Sequence, residues 1–206
     1  MRRGELFARC AMVTAGAIVL AGVAGAAAAA DDGDQDIDVT VEIAQIDEPG
    51  VLAMSVAAGS VSLVEDGSTA LVRQFTGTLP QVTVTDTRTP DEIPAGVAWT
   101  VMGSATAFTG DAGQPDIDAG HLGWTPRLVD GGDSGLVSEG DPVDTVLDEG
   151  DDAVGLVDQE LLAMAADSGA IAEEGQWTAT ADLALRTAAT VAPGTYRSVL
   201  TLSLFE

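Results

Sequence analysis

Apolar and polar residues alternate strictly over several stretches of the chain, the period of β-strands with one buried face. Val82 and Val84 alternate with Thr83, Thr85 and Thr87, while Val97, Trp99 and Val101 share a face opposite Thr100. With a Pro- and Gly-bearing loop between them, these two runs predict a hairpin-like core pair within residues 82–108. Ile37, Val39, Val41 and Ile43 alternate with Asp38, Thr40 and Glu42 and predict an earlier strand. Later, Trp177, Ala179, Ala181, Leu183 and Leu185 line one face of a strand. After Pro193-Gly194, the residues Tyr196, Ser198, Leu200, Leu202 and Leu204 line another.

Turn signals separate shorter runs. Glu48-Pro49-Gly50 and Glu65-Asp66-Gly67 bracket strands expected at 51–57 and 61–64, and a further strand is expected at 70–75. Such punctuation, at roughly every eight to twelve residues, is the pattern of an all-β domain. The expected fold is a β-sandwich, Ig-like or a related Greek key, with long acidic loops. Residues 110–155 fit that description loosely, with 122–129 (LGWTPRLV) their one clear apolar island. Residues 157–164 are open between a strand and a short helix. Asp158 could cap such a helix with Val157 and Leu162 as a staple, but Leu161 stands where a capping box needs Glu or Gln.

The first thirty residues read differently. Arg2, Arg3 and Arg9 precede an apolar run at 11–23, and small residues follow at 26–30. That order is the pattern of a secretory signal peptide cleaved near Ala30, with an uncleaved membrane anchor as the alternative. Residues 31–36 (DDGDQD) then form an acidic linker, and 37–206 form a single domain. Cys10, the chain's one cysteine, lies before the apolar run and is lost with the signal. The secreted chain therefore has no disulfide and no thiol chemistry. No sorting motif or apolar tail follows the last strand, so attachment without a covalent anchor is expected.

Charge narrows the partners. The whole chain carries 33 acidic and 8 basic residues, a net charge of −25. Cleavage would remove three arginines and Glu5, leaving a net charge of −27. Such a chain is repelled by nucleic acid and by anionic membrane surfaces, and both are excluded as expected partners.

The chemistry-bearing residues are few. Gly132-Asp133-Ser134-Gly135 copies the tetrapeptide around the nucleophile of trypsin-like proteases, but a triad needs a histidine base. The single histidine, His121, lies only thirteen residues upstream of Ser134. A secreted hydrolase is therefore a remote reading, and His121 is expected at the surface where a strand starts. One histidine without cysteine makes no usual zinc site. The spaced acids Asp32, Asp34, Asp36 and Asp38 lack the glycine and closing glutamate of an EF-hand loop. No phosphate loop, dinucleotide pattern or HExxH is present. No metal, no cofactor and no catalytic residue are expected. Trp99, Trp124 and Trp177 are expected in the core, the alternative being exposed rings that stack on a saccharide.

Asp86-Thr87-Arg88, then Gly96-Val97-Ala98-Trp99-Thr100-Val101, then Ala107-Phe108, resembles the DTRG…GW-x-L…F core of WxL domains. Pro193-Gly194-Thr195-Tyr196 with the strand after it resembles the closing AGTY strand of that family. The resemblance implies a β-rich secreted module that attaches non-covalently to Gram-positive cell walls through peptidoglycan. It places Trp99 and Val101 at the first Trp-x-Leu, with Val for Leu, and Leu202 and Leu204 at the second, where the tryptophan is missing. By the same resemblance these four are candidate binding residues, and Asp86, Arg88 and Tyr196 are structural. The expected protein is extracellular and wall-associated, with peptidoglycan or other surface proteins as partners. A structural or pilin-like surface-assembly protein is the alternative.

Overall fold

The computed structural model describes residues 48–150 and 153–206. The expected signal peptide at 1–30, the acidic linker at 31–36 and the strand at 37–43 lie outside the described residues. Among the described residues, twelve strands follow one another. They are β1 (Leu52–Val56), β2 (Val64–Glu65), β3 (Val72–Thr78), β4 (Val82–Asp86), β5 (Trp99–Ala105) and β6 (Thr109–Gly110). The second half contributes β7 (Leu122–Asp130), β8 (Val137–Glu139), β9 (Glu160–Ala165), β10 (Gln176–Ala188), β11 (Tyr196–Arg197) and β12 (Leu200–Phe205). The only helical pieces among the described residues are single 3₁₀ turns, so the expected all-β class is the class observed.

All pairings between strands are antiparallel, and β10 organises the larger sheet. One edge of β10 pairs β7; the other pairs β4 along residues 176–179 and β3 along 182–188. β3 and β4 thus lie end to end, interrupted at Leu79-Pro80-Gln81 because proline has no N–H to donate to the ladder. The break is still satisfied: Leu79 N–H donates to Ala181 O at 2.8 Å, and Thr180 Oγ1 donates to Leu79 O at 2.6 Å. β1 and β2 extend this sheet beyond β4 and β3. The second sheet has the order β12-β5-β9-β8, and β6 with β11 forms a separate two-stranded ribbon.

One apolar core joins the sheets. The β10 row Trp177, Ala179, Ala181, Leu183 and Leu185 is buried throughout, as its alternation predicts. Trp177 meets Trp99 of β5 with ring centroids 5.5 Å apart and planes tilted by 39°. Trp124 stands opposite Leu183 on β7, and its ring reaches Gly103 of β5. A Cβ on Gly103 would come within 2.5 Å of that ring, so the close contact requires glycine.

One expectation needs correction. β4 and β5 do not form a hairpin: β4 pairs β1 and β10, whereas β5 pairs β12 and β9 in the other sheet. Residues 87–98 cross between the sheets, and a connection that long is not the two- to five-residue loop of a hairpin. Alternation shows only that each strand has a buried face, and both strands bury theirs in the same core. At residues 157–164, left open between strand and helix by their pattern, the strand is the state observed. Their core is strand β9, with Leu162 and Ala163 buried and Val157 exposed, so the staple does not form.

Candidate binding cleft

Near β4 the DTR residues build a cross-sheet clamp. Asp86 is buried and receives three hydrogen bonds from Arg88: from Nε at 2.8 Å, Nη2 at 2.7 Å and the backbone N–H at 3.0 Å. Arg88 Nη1 also reaches Glu206 Oε1, just beyond β12, at 2.6 Å. One guanidinium therefore ties the end of β4 to the end of β12. Burial opposes the charge on Asp86, but the bonds from Arg88 outweigh it and hold this carboxyl below its usual range. The same pairing raises the affinity of Arg88 for its proton.

The four binding candidates do not form a surface. Trp99 and Val101 are each only 1 % exposed. The Trp99 indole has no face free to stack on a saccharide. Leu202 and Leu204 are half-buried on β12, where Leu204 pairs with Val101 and Leu202 with Gly103. The two Trp-x-Leu-like stretches are thus neighbours within one sheet, facing the core. Trp124 at 1 % and Trp177 at 2 % exposed are enclosed as well.

The protease-like residues are far apart. Ser134 N–H donates to Glu174 Oε1 at 2.7 Å, just before β10 begins. His121 Nδ1 donates to Arg186 O at 2.6 Å, near the strand's other end. At ~3.3 Å per residue, the intervening strand is on the order of 30 Å long. Ser134 Oγ accepts from Leu136 N–H at 3.2 Å. His121 is half-buried rather than fully at the surface, at the 3₁₀ turn that leads into β7. Among the described residues, no group of three His, Cys, Asp or Glu side chains is arranged to hold a metal ion.

The structure instead opens a cleft of about 640 Å³ at one end of the core. Its floor is the inner face of the larger sheet, with Phe75 on β3, Leu183 and Leu185 on β10 and Leu122 on β7. One wall is the segment Val61-Ser62-Leu63, which crosses the inner face of β3. It can cross there because Gly77 has no side chain: a Cβ would stand 2.7 Å from Leu63 Cδ2. The other wall runs from Val191 through the Pro193-Gly194 turn to β11 and Leu200. Tyr196 fixes this wall by donating its hydroxyl proton to Ala192 O at 2.8 Å. Gln114 Nε2 adds a bond to Pro193 O at 3.0 Å.

Two cations border this apolar space. Arg73 lies 5.1 Å from the Phe75 ring centroid and pairs with Glu65 at 2.7 Å. The Glu65 carboxyl is held below its ordinary range, first by Arg73 and then by the Ser68 hydroxyl. Arg197, on β11, is exposed and has no ion-pair partner among the described residues. No Asp or Glu lines the cleft, although 33 of the 206 residues are acidic. A concave apolar site of this size with a few convergent polar groups is suited to bind a small ligand.

Of the stretches that resemble the WxL pattern, Phe108 and the closing Pro193-Gly194-Thr195-Tyr196 with the strand after it line this cleft, whereas Asp86-Thr87-Arg88 and Gly96–Val101 do not. Arg73, Phe75 and Arg197 escaped the sequence reading because strands far apart in the chain bring them together. The one sequence signal for the two arginines was the rarity of basic residues. No family model, curated protein or solved structure matches this chain.

Proposed function

We propose that the chain is a secreted, non-enzymatic binding module of the WxL kind that associates with the cell wall through peptidoglycan. The observation that carries this reading is the pairing of Trp99–Ala105 with Leu200–Phe205. It makes the two stretches that resemble Trp-x-Leu, a hundred residues apart in sequence, adjacent strands of one sheet. The signal-like residues 1–30 support secretion. In this reading Trp99 organises the fold and ligand contact falls to other surfaces, because its ring is enclosed. The negative charge means that attraction to an anionic wall must come from hydrogen bonds, apolar contact or bridging divalent cations, since screening weakens repulsion without reversing it. Co-sedimentation of the purified protein with peptidoglycan, with and without calcium, tests the reading. Pelleting in either condition is expected, and a soluble protein in both would remove wall binding.

A second reading, a surface-assembly protein, is favoured by β12 itself. It is an edge strand without a charged residue or proline; exposed Val199 precedes it and exposed Phe205 ends it. Such an edge can pair with a strand of another chain. Sedimentation velocity over a wide concentration range would then show oligomers that grow with concentration.

A further inference from the structure

The cleft at the end of the core combines an apolar floor with a cationic mouth. Phe75, Leu122, Leu183 and Leu185 form the floor, and they belong to the core that other parts of the molecule keep covered. Arg73 and Arg197 stand in its lining, which holds no carboxylate, and Arg73 pairs with Glu65 outside it. Elsewhere the few arginines are committed to acids: Arg88 to Asp86 and Glu206, and Arg186 to Asp148. Arg197 alone among the described arginines is exposed and has no acidic partner.

We propose that this cleft binds a single-chain anionic amphiphile, its alkyl chain against Phe75, Leu183 and Leu185 and its headgroup on Arg197. The apolar floor selects the chain because removing alkyl surface from water is favourable. Arg197 selects the charge, since a guanidinium donates to a carboxylate or phosphate in a bidentate, charge-assisted manner. Arg73 is already engaged by Glu65 and stacked near Phe75, so it adds positive potential at the mouth rather than a free donor fork. Long-range repulsion from a chain of net charge −25 opposes any anion. An anion that binds despite it must therefore be held by local contacts.

The inference deepens the reading of the chain as a binding module by naming a ligand class, and it rests on that reading only in assigning the cleft to binding. Its test is separate. Decanoate, decyl phosphate and decanol are titrated calorimetrically into the wild-type protein, Arg197→Gln and Val191→Trp. Saturable one-to-one binding of at least one anion is expected, about tenfold tighter than decanol, the scale of one charge-assisted bond. Arg197→Gln should weaken the anion about tenfold and leave decanol unchanged. Val191→Trp, which places a large side chain in the cleft, should abolish binding of all three. Preference for the carboxylate points to a free fatty acid, and preference for the phosphate to a phosphorylated lipid headgroup. No saturable binding of either anion, or an anion affinity unchanged in Arg197→Gln, overturns the proposal. Arg197 is exposed, so its substitution leaves the fold in place even if Val191→Trp does not fold. Pelleting with peptidoglycan without amphiphile binding removes this inference alone, and the converse result removes only wall binding.

Discussion

Arg88 serves two carboxylates at once, and the consequences of losing it can be stated in advance. Arg88→Met leaves Asp86 buried without its partner and should destabilise the fold by about 3–5 kcal/mol, measured by urea unfolding at pH 7. In the wild-type protein the Asp86 carboxyl is held below its ordinary value. Its stabilising contribution is therefore complete above the unfolded value near ~4 and fades as pH falls through the folded-state value. Without Arg88, burial alone would raise that carboxyl. The contribution of Asp86 in Arg88→Met should then diminish as pH rises through ~4, so the difference between the two proteins widens from pH 3 to pH 7. The tryptophans separate in a similar way. Trp177 Nε1 donates to Glu174 Oε2 at 2.7 Å, whereas Trp99 Nε1 is buried without a partner. Both Phe variants lose packing, but only Trp177→Phe also loses a hydrogen bond to a charged group. It should cost roughly 1 kcal/mol more than Trp99→Phe in the same unfolding assay.

At the scale of the strand, two elements carry testable strain or charge. β5 approaches Trp124 so closely at Gly103 that an added methyl group has no room. Gly103→Ala should destabilise by about 1–3 kcal/mol through overpacking, with a red shift of tryptophan emission if the ring is displaced. β9 begins at Glu160, whose carboxyl is raised above its ordinary range by burial first and by the nearby charge of Asp158 second. A raised carboxylate favours the folded state in its neutral form, and that advantage is lost as pH rises through the folded-state value. Glu160→Gln should therefore be more stable than wild type at pH 7, with the gain vanishing toward pH 3. Equal wild-type and variant stabilities at both pH values would remove this account of β9. Strands such as β10 were legible in the sequence because each alternate residue from Trp177 to Leu185 is apolar. The state of residues 157–164 was not legible, because a short apolar run satisfies helix and strand alike. Pairing with β5 and β8 decides it.

The molecule as a whole places three buried tryptophans in the core beneath a strongly acidic exterior. Iodide should quench native tryptophan emission little, because an anion neither reaches the enclosed rings nor approaches the surface readily. Strong native quenching would show an exposed ring and reopen the stacking alternative for Trp99. The binding cleft belongs to this scale as well. The Tyr196 hydroxyl locks the turn at Ala192. Arg73, Phe75 and Arg197 gave no local pattern, since β3, β10 and β11 meet only through pairings distant in sequence.

By itself the sequence determined the period of two, and with it the all-β class and the inward rows of β4, β5, β10 and β12. That follows because successive side chains on a strand point to opposite faces and the apolar set must leave water. Only the tertiary structure decided which strands are neighbours. Alternation is the same whether β4 pairs β5 or, as here, lies in the other sheet. Tertiary pairing also enclosed Trp99, joined Arg88 to Glu206, and left two arginines beside an open end of the core. Each depends on residues far apart in the chain, whose proximity no local pattern encodes.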